Sequence, residues 1–246
     1  MGAMQTITAD RHGQILEDSV HQSRPLVLTH NGPDGWRTFK ASFAASGSAA
    51  PTLTVRLELP AAHAPSVAPK VGDALGGTFR LGHKKCMFST ALLNIRRDGD
   101  TEVWTLRRPE QLQQLQRRAY ERSVPMKGSV IAVRFWRETP GGDPSVDARA
   151  VRHGQLEDLS AGGMRVKIAD PKDLELDRTY RCVFTPRLGK PALVLDAVLR
   201  HREAGDEGRS SLGFQFVGLE TSEDGMKLLD RLVRVVQQFH RTEARE

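Results

Sequence analysis

Two short stretches of this chain carry residue types that could do chemistry together. The first is Gln116-Arg117-Arg118-Ala119-Tyr120-Glu121-Arg122, in which Arg118 and Arg122 stand four positions apart with Arg117 adjacent. In a helical turn or a tight loop, that spacing converges two guanidinium forks on one ligand. Each fork offers planar, paired donors that match phosphate oxygens or the O6/N7 edge of guanine. By itself such a pair is ordinarily a solvated face. The second stretch is Asp158-Leu159-Ser160-Ala161-Gly162-Gly163. Residues two apart on an extended chain share a side, so Asp158 and Ser160 present a carboxylate and a hydroxyl together. A carboxylate there can accept from the N1–H and N2 amino donors of guanine. The glycine pair, Gly162 and Gly163, permits positive φ and close approach of the backbone to a flat ligand. The plain alternative is an Asp/Ser turn joining two strands.

The elements around these stretches are mostly β. One short helix is predicted around Gln14 to Val20, where Ile15, Leu16 and Val20 share a face. After Pro25 the pattern changes to period two or short apolar runs. It predicts strands over Leu26–Thr29, Trp36–Ala44, Leu53–Leu59, Ala74–Leu81, Cys86–Asn94 and Glu102–Leu106. Turn signals separate them, among them Asn31-Gly32-Pro33-Asp34-Gly35 and Arg97-Asp98-Gly99-Asp100. Several short strands with no intervening helix describe a small barrel or sandwich.

Pro109-Glu110-Gln111, followed by Leu112 and Leu115 among glutamines, predicts a short helix or an extended linker. This is the best boundary in the chain. It divides a domain at 1–112 from a linker at 113–122 and a second domain at 123–246. The second domain is predicted to have strands at Val130–Trp136, Ala148–Glu157, Gly163–Ile168, Tyr180–Pro186, Ala192–Arg200 and Ser210–Phe216, with a loop at 139–146. A helix closes the chain. Ser222 starts it, with Glu223 and Asp224 near its positive end. Met226, Leu229, Leu232, Val233, Val236 and Phe239 then recur on one face, which is expected to cap a barrel.

The bulk properties agree with a folded protein. Of 246 residues, 39% are hydrophobic and 27% charged, enough for one large core or two ordinary ones. No apolar run approaches the roughly 18 residues that suggest a membrane span, and Met1-Gly2-Ala3-Met4, with no basic region followed by an apolar core, is not expected to be a signal peptide or part of the fold. The expected location is the cytoplasm. The two cysteines, Cys86 and Cys182, lie in β-like runs and are expected to be reduced, half-buried thiols. The eight histidines show no ligand spacing, so no metal is expected. The net charge of +6 favours phosphate-bearing partners without choosing among them.

Taken together and in this order, Arg118-xxx-Arg122 and Asp158-x-Ser160-xx-Gly163 resemble the paired signature of the PilZ domain, a receptor module for the second messenger cyclic di-GMP. Ser211-Leu212-Gly213-Phe214-Gln215-Phe216 is similar to that family's late strand, and the closing helix also fits. The resemblance covers about residues 117 to 240. It implies a mainly β fold in which the second domain is a six-stranded antiparallel barrel with a C-terminal helix. It also implies that Arg118 and Arg122 bind phosphates and guanine edges, that Asp158 and Ser160 read a guanine, and that Gly162 and Gly163 allow close approach. Arg117 would support them, for instance by helping to hold a stacked pair of ligands. Cyclic di-GMP is then a ligand and not a cofactor. The β-rich first domain resembles the N-terminal split barrel of YcgR-like flagellar brake proteins. That layout implies a motor or stator partner and residence at the flagellar basal body, while polysaccharide export stays open. One versus two ligands, and monomer versus homodimer, also stay open.

Two rival classes fit less well. No Gly-x-Ser-x-Gly, Walker-type loop, paired carboxylates or His/Cys/Asp constellation occurs in a supporting context, so no enzyme is expected. Barrels that bind single-stranded nucleic acid need exposed aromatic platforms. Aromatics are only 6% here, and Phe214, Phe216 and Trp136 are expected in the core, so no nucleic-acid partner is expected.

Overall fold

The strand-rich pattern resolves into two β units in a computed structural model of the chain. It describes residues 4–33, 35–45, 51–58, 69–99, 101–115, 122–126, 128–137, 151–187, 189–205 and 208–243. One unit comprises Met1–Arg117 with Glu220–Met226, and the other comprises Arg118–Leu219 with Lys227–Glu246.

The first unit opens with a short strand β1 (Met4–Thr6) and a helix α1 (Ala9–His21). Met4 is therefore part of the fold, and the helix runs well beyond the predicted Gln14 to Val20. Ile15 and Leu16 bury its inner face, and the Ser19 hydroxyl donates back to the carbonyl of Ile15 at 2.7 Å. Then come β2 (Pro25–Gly32), β3 (Gly35–Ala44), β4 (Thr52–Leu57), β5 (Ala74–Leu81), β6 (Lys84–Asp98), β7 (Thr101–Arg107) and β8 (Gln113–Leu115). The sheet order is β1-β8-β6-β5-β2-β3-β4-β7, and β7 pairs back onto β6 to close a six-stranded antiparallel barrel. The 15-residue β6 makes the closure by changing partners. Its start faces β8 and its end faces β7.

Inside, Leu28, Phe43, Val55, Leu75, Trp104 and Leu106 are almost wholly buried. Phe43, Phe79 and Phe88 meet ring edge to ring face, 5.3 and 6.2 Å between centroids. A Cβ at Gly77 would collide with the Phe88 ring at its Cζ, so a strand glycine makes room for the aromatic core. The stretch from Leu112 to Leu115 is extended and not helical, with Gln113–Leu115 forming β8. Both leucines are buried, and β8 is sandwiched between β1 and β6, so long-range pairing overrides the local helix signal.

The second unit contains β9 (Ala132–Arg137), β10 (Arg152–Ser160), β11 (Gly163–Ile168), β12 (Thr179–Phe184), β13 (Leu193–Ala204) and β14 (Ser210–Phe216). They close as β10-β11-β14-β13-β12-β9, every pair antiparallel. Period-two alternation fills the barrel: Met164, Val166 and Ile168 point inward from β11, and Leu212, Phe214 and Phe216 from β14. Phe135, Tyr180 and Phe214 form a mutual edge-to-face cluster at 5.2 to 6.1 Å. Trp136 departs from expectation. Its neighbour Phe135 takes the inward position, so Trp136 lies on the outer face, half-buried.

Both thiols are free and fully buried, more deeply than expected. The expected loop at 139–146 lies outside the described residues.

The closing helix α2 (Glu223–Glu243) is capped at its start, where the Ser222 hydroxyl accepts from the Gly225 N–H at 3.0 Å. Leu229, Leu232, Val233 and Val236 are buried. Arg231 donates to the carbonyls of Ala192, at 3.0 Å, and of Pro191. The apolar face of this helix therefore lies on the second barrel.

Candidate functional site

A single irregularity in β10 turns Asp158 outward. Leu156 pairs with Val166 and Asp158 pairs with Arg165, so Glu157 is the extra residue of a β-bulge. With strict alternation Asp158 would follow Leu156 into the core. The bulge flips it to the outer face, opposite Arg165, and sends Leu159 inward to complete burial.

The chain just ahead of the barrel is pinned to the same place. Ser123 and Leu159 form an isolated antiparallel bridge, each N–H donating to the other's carbonyl at 2.9 Å. Ser123 is wholly buried, and its hydroxyl donates to the Val236 carbonyl of α2 at 3.4 Å. This bridge sets the preceding residue, Arg122, beside the residue that precedes Leu159. Arg122 Nη1 donates to both carboxylate oxygens of Asp158, at 3.0 and 3.1 Å. Arg165 approaches the same carboxylate across the strands, its Nε 3.5 Å from Oδ2. Its Nη1 lies 4.0 Å from Glu203 Oε2. Asp158 therefore sits between two guanidinium groups with 18% of its side chain exposed, while Arg122 is 54% exposed. The exposed fork can turn to a solute; the carboxylate is held.

Ser160 ends β10 and is nearly buried. Its hydroxyl donates to the Gly163 carbonyl at 3.1 Å and accepts from the Gly162 N–H at 3.3 Å. In this arrangement it closes the β10–β11 hairpin, and its hydrogen is already used. Neither Gly162 nor Gly163 takes a positive φ, in contrast to the expected turn geometry. The requirement at Gly163 is steric: a Cβ there would collide with the carbonyl oxygen of Phe214 on β14. Glycine brings two backbones together at this corner.

The structure thus brings together Arg122, Asp158, Ser160, Gly162 and Gly163, while Arg117 and Arg118 lie outside the described residues. Sequence reasoning missed Arg165 and Ser123. Arg165 had a signal, since it is a charged residue in the outward register of β11. Ser123 had none, because its role is a backbone pairing. Among the described residues there is no group of three or more His, Cys, Asp or Glu side chains that could hold a metal. No helix among them is long and apolar enough to cross a membrane.

These features define a class: a mainly β protein of two six-stranded barrels, the second with a guanidinium-clasped carboxylate on its outer wall. Residues 116–235 match the family model described as PilZ domain. Among solved structures, apo MrkH of K. pneumonia is similar over 98% of this chain and 99% of its own, with 15% identity and a TM-score of 0.53. That likeness is one of fold. YcgR of Escherichia coli in complex with c-di-GMP covers 98% of this chain and 96% of its own, with 18% identity and a TM-score of 0.37. No curated protein matches this chain in sequence.

Proposed function

We propose that this protein is a non-enzymatic effector that binds cyclic di-GMP through Arg117, Arg118, Arg122, Asp158, Ser160, Gly162 and Gly163. The observation that carries the reading is the Arg122–Asp158 pair, which joins the two separated halves of the motif on one barrel wall. The chemistry is complementary. The ligand is a dianion with two guanines; arginine forks suit its phosphates and Hoogsteen edges, and the carboxylate suits the N1–H and N2 donors. In the same reading the motif arginines, which stand where the chain passes from one unit to the next, transmit binding as a change in interdomain arrangement.

The output of that change is a regulatory contact, and control of flagellar motility through a motor or stator partner is the favoured form. The two-domain layout of YcgR supports it, as does MotI/DgrA of Bacillus subtilis, whose structure is described as that of an inhibitor of motility. The net charge of +6 and the likeness to MrkH, described as a c-di-GMP-dependent transcription regulatory factor, favour a second form in which the partner is DNA. Calorimetric titration with cyclic di-GMP tests the reading directly. Saturable binding with selectivity over cyclic di-AMP is expected, and no heat at millimolar ligand overturns it. DNA affinity that appears only with ligand and falls steeply with salt would select the second form.

A further inference from the structure

Asp158 has a second cationic partner that the motif does not contain, and the two partners are not equivalent. Arg122 precedes the barrel on an extended segment and is more than half exposed. Arg165 stands in the middle of β11, hydrogen-bonded into the barrel on both sides by β10 and β14. The β-bulge at Glu157 places it directly opposite Asp158. Its guanidinium lies between two acids, with Nε toward Asp158 and Nη1 toward Glu203, which fixes the direction of the fork.

We infer that Arg165 is the positioning residue that keeps the Asp158 carboxylate in place for a guanine once Arg122 has turned to the ligand. This rests on the receptor reading above. A carboxylate offers about four acceptor positions, two on each oxygen. Arg122 takes one position on each oxygen in the structure. Cyclic di-GMP competes for that fork with phosphate oxygens and with O6/N7. The two vacated positions are then the ones a guanine N1–H and N2–H can fill. Without a second partner, a carboxylate losing its clasp would be free to rotate toward water. Arg165, on a strand bonded on both edges, holds it instead. Arg165 therefore acts on guanine recognition through Asp158, and not by touching the ligand.

A double-mutant cycle with calorimetry separates these roles. Arg165→Ala is expected to weaken cyclic di-GMP binding about ten-fold, the scale of coupling between neighbouring residues in one network. Arg165→Lys, with a charge but no fork, recovers part of the loss. In an Asp158→Asn background, Arg165→Ala should cost no more than about two-fold, since its target is gone. Equal losses in both backgrounds would show that Arg165 acts on the ligand itself and would overturn the inference. If Asp158→Asn binds too weakly to titrate, selectivity supplies the readout. Adenine lacks the N1–H and N2 amino donors, so Arg165→Ala should erode preference for cyclic di-GMP over cyclic di-AMP. Equal weakening toward both overturns the inference as well. A wild-type protein that binds no cyclic di-GMP removes the receptor reading first. Wild-type binding with an additive cycle removes only the role of Arg165. Thermal unfolding of each variant in the absence of ligand keeps folding defects apart from binding ones.

Discussion

Arg122 and Asp158 lie 36 positions apart in the chain, yet one guanidinium nitrogen of Arg122 donates to both oxygens of the Asp158 carboxylate. The pair is largely a surface one on its cationic side, so its direct contribution to stability is below about 1 kcal/mol. Its significance for the receptor reading is that the proposed ligand-binding groups engage each other within the protein. Binding is then an exchange: contacts within the protein are given up for contacts with the solute, and only the difference appears as affinity.

Arg122→Ala should therefore separate stability from binding. The midpoint of urea unfolding is expected to move little, because an exposed ion pair is lost and no core atom is removed. Cyclic di-GMP affinity should fall by about 1.5–3 kcal/mol, the scale of a hydrogen bond to a charged group. Titration calorimetry and equilibrium unfolding on the same preparation check both halves. Unchanged affinity would leave Arg122 as a structural clasp.

Asp158→Asn sets two effects against each other. The substitution releases Arg122 and removes a negative charge near a dianionic ligand, and both changes favour binding. It also turns an acceptor-only group into a mixed donor and acceptor, which opposes two guanine donors. If guanine reading dominates, affinity falls despite the more positive site. A gain in affinity would assign binding to general electrostatics, and the gain would shrink in high salt.

Gly163→Ala tests the corner. A Cβ at this position collides with the Phe214 carbonyl, so β11 and β14 must part. Overpacking of this kind costs about 1–3 kcal/mol. A lower unfolding midpoint is expected, with weaker ligand binding because the hairpin that carries Asp158 and Ser160 moves. Binding loss with no change in stability would instead point to contact between ligand and glycine.

The two thiols should be silent in the native state. Burial pushes both Cys86 and Cys182 above the ordinary thiol range, with Asp196 adding to the shift at Cys182. A raised value means less thiolate at a given pH, and thiolate is the reactive form. At pH 8, a disulfide reagent such as Ellman's should label neither until denaturant is added, after which both react. Rapid native labelling of either would contradict the burial.

Much of the fold was legible because its strands alternate. β5, β11 and β14 end at the residues the period-two pattern marks, and Ser222 caps α2 as its side chain suggests. What was hidden depends on distant partners. The stretch around Leu112 and Leu115 follows a proline and glutamines that favour helix locally, but its pairing with β1 and β6 is decided by residues far away in sequence. Trp136 was misplaced by a single position, because either residue of Phe135-Trp136 could have faced inward. In the site, residue types at the motif positions were readable, while the bulge at Glu157 was not. Nothing in Gln155-Leu156-Glu157-Asp158 announces an extra residue, and without it neither the outward turn of Asp158 nor the neighbouring position of Arg165 follows.

The closure of the second barrel by β9 bears on how the protein reaches its folded state. β10 with β11, β12 with β13, and β13 with β14 are neighbours in sequence as well as in space, so their pairing closes short loops. β9 must instead find both β10 and β12, the second of them more than forty residues downstream. Pairings of high sequence separation are slower to close than hairpins. Arg122 enters from the chain just ahead of β9, held by the Ser123–Leu159 bridge. The Arg122–Asp158 pair therefore belongs to the long-range pairings of the barrel, together with β9–β12 and β11–β14. In a refolding experiment, β-sheet signal should rise before the pair forms, and a protein stalled short of closure would contain most of its strands but no assembled motif.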